Sequence, residues 1–112
     1  MSKKFDVSKC DLFLVVDTDS YVLNSPVSCN CYEKAIESAF SMVINCYKSH
    51  LLSYGVVIYC IERQYNSYPK MNTFIAIGEI VEQLVVHGKL SKDDIVSENS
   101  EFVSKRKSYF NV

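Results

Sequence analysis

The sequence predicts an all-α domain, a compact bundle of about five helices formed by residues 1–112 as one unit. Three observations carry that expectation. Glycine occurs three times, proline twice, and threonine only at Thr18 and Thr73, whereas a sheet protein of this size draws on Gly and Pro at many turns. Pro26, Gly55, Pro69 and Gly88 fall where they cut the chain into helix-length pieces. Residues 31–52 carry one long apolar stripe at three- and four-residue steps.

Taken in order, the first piece opens at Ser8-Lys9-Cys10-Asp11, a weak capping box. It continues through "DLFLVVDTDSYVL", where Leu12, Val15, Val16, Val22 and Leu23 share a helical face. The second is the clearest helix. Asn30-Cys31-Tyr32-Glu33 is cap-like, and Tyr32, Ala35, Ile36, Ala39, Phe40, Val43, Tyr47 and Leu51 form its stripe. The third, "GVVIYCIERQY", places Tyr54, Val57, Ile58, Ile61 and Tyr65 together.

The fourth begins at Pro69, suited to a first helical turn, and runs to Gly88, a fitting residue just past a helix end. Phe74, Ile77, Val81, Leu84 and Val85 make its stripe, with Glu79, Glu82 and Gln83 away from it. Gly78 weakens its interior by roughly 1 kcal/mol relative to Ala. The last piece, Lys92 to Lys107, opens on the box Ser91-Lys92-Asp93-Asp94. The ends, 1–7 and 108–112, are expected to fray.

Segments 11–23 and 56–65 also fit strands, being rich in β-branched and aromatic residues. The alternative is therefore α/β: a small sheet of two or three strands with two or three helices. In it two parallel strands flank the crossover helix, and Tyr21–Leu23 supplies a third.

At 112 residues, folding hides roughly two-thirds of the unfolded surface, and 48% apolar residues suffice to fill one core. A net charge of −1, from 12 basic and 13 acidic residues, provides no field for nucleic acid or an anionic membrane. No apolar run approaches the roughly 18 residues of a membrane span, and Asp6, Lys9 and Asp11 interrupt any signal-peptide core. A cytoplasmic location, in the protein's own cell or a host's, is expected. The five cysteines read as small buried hydrophobes in a reducing compartment.

Four constellations bear on function. Asp17 and Asp19 would share a face on a strand and could hold Mg²⁺ for phosphotransfer or nuclease chemistry, but on a helix they lie about 200° apart. Cys46 and His50, an i, i+4 pair, form half a zinc site that only another segment or chain could complete. Neither His50 nor His87 sits in a catalytic signature. Lys105, Arg106 and Lys107, followed by aromatics, are the one candidate for nucleic-acid contact.

Six of the eight tyrosines fall within residues 32–68, and tyrosine is enriched at protein interfaces. Tyr54, Tyr59, Glu62, Arg63, Tyr65 and Tyr68 are accordingly the candidate partner-binding residues. The expectation is a small non-enzymatic domain that binds another protein, of inhibitor, immunity or host-modulating type, with no cofactor and no metal. A second copy of the chain is an equally acceptable partner, and neither nucleic acid nor membrane is expected.

Overall fold

The computed structural model describes residues 7–19, 24–62, 70–97 and 104–105. It is an α/β structure, and the five-helix bundle is overturned. After a short 3-10 turn, Val7–Lys9, come β1 (Leu12–Asp17), β2 (Val27–Cys29), α1 (Tyr32–Lys48), β3 (Val56–Glu62), β4 (Lys70–Ala76), α2 (Ile77–Val86) and α3 (Lys92–Val96). The four strands form one sheet in the order β2-β1-β3-β4, with every pairing antiparallel. The parallel-strand alternative is corrected as well, since β1 and β3 run in opposite directions.

α1 forms where its stripe predicts, because its apolar residues recur on the helical period. Ala35, Ile36, Ala39, Phe40 and Val43 are buried, and so are Met42, Ile44 and Cys46. Burial extends around the helix because the sheet lies on one side and α2 and α3 pack alongside. The Asn30 box is absent: Cys31 is the N-cap and makes no side-chain capping bond.

The ambiguous segments resolve as strands through pairing. Directly opposed residues share a face, and Phe13, Val15 and Asp17 oppose Cys60, Ile58 and Val56. All six are buried, and the apolar five form a single core with α1. Leu12, Leu14 and Val16, opposite Ile61, Tyr59 and Val57, lie on the other face. Apolar residues therefore occupy both faces of β1 and β3, which removes the alternation that marks a half-buried strand.

The piece read as one helix from Pro69 to Gly88 divides in two. Lys70–Ala76 form β4 against β3, and the helix starts only at Ile77. Phe74, expected on the helical stripe, is instead 57% exposed on the outer sheet face and packs its ring against Tyr59, 5.9 Å away. The Ser91 box is present, with Ser91 Oγ accepting from the Asp94 amide at 3.0 Å and the Ser91 amide donating to Asp94 Oδ2 at 3.3 Å. Its helix ends at Val96 rather than continuing to Lys107.

Both longer helices finish alike. In α2 the Lys89 amide bonds back to the Leu84 carbonyl at 2.8 Å, with Gly88 left-handed at φ 72°. In α1 the Leu51 amide bonds to the Cys46 carbonyl at 2.9 Å, with His50 left-handed at φ 57°. Glycine accepts that conformation freely, whereas a side chain there costs roughly 1–2 kcal/mol.

Candidate functional site

Among the described residues, two buried polar clusters and one exposed apolar loop are places where chemistry or recognition could reside. The first cluster answers the question of the acidic pair. Asp17, the last residue of β1, has no exposed surface. Its Oδ1 accepts the Asp19 amide at 3.1 Å. Its Oδ2 accepts Asn24 Nδ2 at 3.1 Å and the Cys46 thiol at 3.5 Å. Asn45 Nδ2 donates onward to Asn24 Oδ1 at 3.2 Å. The carboxylate thus ties the end of β1 to the residue-24 segment and to α1.

Asp19 lies beyond the strand, exposed, and the two carboxylates do not share a strand face. Cys46 and His50 also separate. α1 ends at Lys48, so Cys46 is fully buried while His50 stands in the exposed turn that follows. Among the described residues no group of three or more His, Cys, Asp or Glu could hold a metal ion.

Burial, and then the Asp17 charge, push the Cys46 thiol up to about 12 from 9.0; burial, then Cys10, does the same to Cys60. Both are poor nucleophiles, since the thiolate is the reactive form. At pH 8 a water-soluble disulfide reagent is therefore expected to modify the half-buried Cys10 and Cys31, and to reach Cys46 and Cys60 only after denaturation. A folded-state value above the unfolded one makes the stabilisation complete below pH 9 and progressively lost as pH rises towards 12. The melting temperature is expected to fall over that window.

The second cluster centres on Glu82, which the helical reading placed away from the apolar stripe. It is buried, one turn beyond Gly78 on the same side of α2. Its Oε1 accepts the Tyr47 hydroxyl at 2.5 Å and the Ser53 hydroxyl at 2.9 Å. Burial, and then this hydrogen bond to Glu82, raise the Tyr47 phenol well above its usual range. Gly78 lies directly on the Ser53 carbonyl, where a side chain's Cβ would collide with it.

These contacts clamp the loop from Leu51 to Gly55 between α1 and α2. Its backbone is also engaged, through Leu51 to Cys46 and through the Val56 amide to the Ser53 carbonyl at 3.1 Å. From this clamped loop Leu52 is 65% exposed, and Leu51 and Tyr54 each 44%. Beside it, between the end of α1 and α3, lies a cleft of about 360 Å³ lined by Tyr47, Lys48, His50, Lys92, Asp93 and Val96. A second cleft of similar volume runs along α2 over Ala76, Ile80 and Leu84.

The sequence-derived contact residues disperse. Tyr54 precedes β3, Tyr59 lies on the outer sheet face, and Glu62 ends the strand, so no helical face unites them. Arg63, Tyr65 and Tyr68 lie outside the described residues, as do Arg106, Lys107 and the Tyr21–Leu23 segment; Lys105 is exposed. Sequence reasoning missed Leu51 and Leu52 as surface groups. Leu51 continues the α1 stripe in sequence, and only the helix stop at Lys48 turns it outward. No helix among the described residues is long and apolar enough to cross a membrane.

The expectation of an inhibitor or immunity role rested on size and on absent catalytic motifs, and it finds no support in this fold. Compared with protein-family models, with curated proteins and with solved structures, the chain matches none.

Proposed function

We propose that this chain is a protein-binding domain without catalytic chemistry of its own, and that its contact surface is the 51–54 loop. One observation carries the reading. Leu51, Leu52 and Tyr54 are exposed on a loop whose backbone and Ser53 side chain are fastened to both neighbouring helices. Adjacent exposed apolar side chains mark interaction sites more often than scattered ones do. A loop already held in one shape loses little conformational entropy on docking, which favours affinity. Tyr54 adds an aromatic of the kind that anchors interfaces.

Site-specific photocrosslinking tests this. A photoreactive phenylalanine analogue in place of Leu52 is expected to yield an adduct of discrete mass in extracts of cells that make the protein naturally. The same analogue at Ser41, exposed on α1, is expected to yield none. Adducts absent from position 52, or identical from both positions, would remove the loop as the contact surface.

A further inference from the structure

We propose that the partner segment docking on the 51–54 loop is an acidic, apolar peptide, with a carboxylate side chain entering the cleft beside His50. This rests on the reading of that loop as the contact surface and specifies its ligand. The cleft and the loop are continuous in the chain: His50 lines the first and Leu51 opens the second. Two residues span at most about 7 Å of extended backbone, so one short peptide can reach both.

The chemistry of the lining selects the charge. Lys48, His50 and Lys92 stand exposed around the cleft against one carboxylate, Asp93, while Tyr47 and Val96 supply apolar wall. This positive excess sits on a chain whose net charge is −1, so it is local. Lysine and imidazole donors give charge-assisted hydrogen bonds to a carboxylate, stronger than neutral ones and sensitive to salt. His50 also occupies a left-handed position that α2 fills with Gly88. A side chain is thereby held at the junction between cleft and loop despite its backbone cost.

The test selects random dodecapeptides displayed on phage against the full chain, then measures synthetic copies by fluorescence anisotropy. The expected peptides carry Asp or Glu within about three residues of a large apolar side chain. Their Kd is expected to rise at least tenfold with Lys48→Glu/Lys92→Glu, and likewise with Leu52→Asp. All three positions are exposed, and circular dichroism verifies that the variants fold.

Peptides weakened by Leu52→Asp but indifferent to the charge reversal would overturn the acidic ligand while leaving the loop as a docking surface. Peptides indifferent to both variants would overturn both ideas. Failure to select any peptide would overturn the acidic-peptide proposal, as would binding of phosphatidylserine vesicles in place of peptides.

Discussion

Replacing Gly78 with alanine is expected to destabilise the protein by about 2–3 kcal/mol, the size of an overpacked core substitution. The same exchange in an ordinary helix interior stabilises by about 1 kcal/mol. The sign decides between the two effects. A Cβ at position 78 would meet the Ser53 carbonyl oxygen, with the Ser53 carbonyl carbon at 2.5 Å and the Tyr54 carbonyl carbon at 3.1 Å. These are backbone atoms, so relief requires moving α2 or the loop. Either movement stretches the hydrogen bond from Ser53 to Glu82.

A fall in melting temperature on the order of 10 °C is expected for a domain of this size. A double-mutant cycle with Ser53→Ala should be non-additive, because both changes act on one contact. A stabilised Gly78→Ala variant would mean that α2 does not lie on the loop.

Asp17→Ala is expected to cost about 3 kcal/mol. The substitution leaves the Asn24 amide and the Cys46 thiol, both buried, and the part-buried Asp19 amide without their shared acceptor, and each unsatisfied buried donor costs about 1–3 kcal/mol. Asp17→Asn should recover only part of that. Its amide oxygen can accept some of these bonds, but its own NH₂ then faces other donors. Calorimetry of the three proteins measures the ordering, wild type above Asn above Ala. Millimolar Mg²⁺ is expected to leave the wild-type melting temperature unchanged, since both Asp17 oxygens already accept internal hydrogen bonds. A Mg²⁺-dependent rise that disappears in Asp17→Asn would instead restore the acidic pair as a metal site.

The helix α1 was legible because Ala35, Ile36, Ala39, Phe40 and Val43 repeat with the helical period. The sheet was not, for three physical reasons. Strands β1 and β3 are apolar on both faces, so neither period dominates in them. Strand β4 runs into α2 between Ala76 and Ile77 with no loop between them, and Gly78 falls inside the helix rather than at the boundary. Scarce Gly and Pro do not signal helices here, because the strands are not joined by tight turns. Residues 18–26 join β1 to β2, and α1 itself lies within the crossover to β3.

Site residues were hidden for a related reason. Asp17 was conspicuous in an apolar run, but Asn24, Asn45 and Cys46 come together with it only in three dimensions. Glu82 carried a weak signal, lying one helical turn from Gly78, where a missing side chain permits close approach.

Partner binding as proposed requires the 51–54 loop to be a preformed surface. Backbone ¹⁵N relaxation across Leu51–Gly55 tests it most directly. Order parameters of about 0.85, matching α1, are the expected result, because the loop is fastened at Cys46, Glu82 and Gly78. Values below about 0.6 would contradict it, making the exposure of Leu51, Leu52 and Tyr54 the slack of a mobile loop.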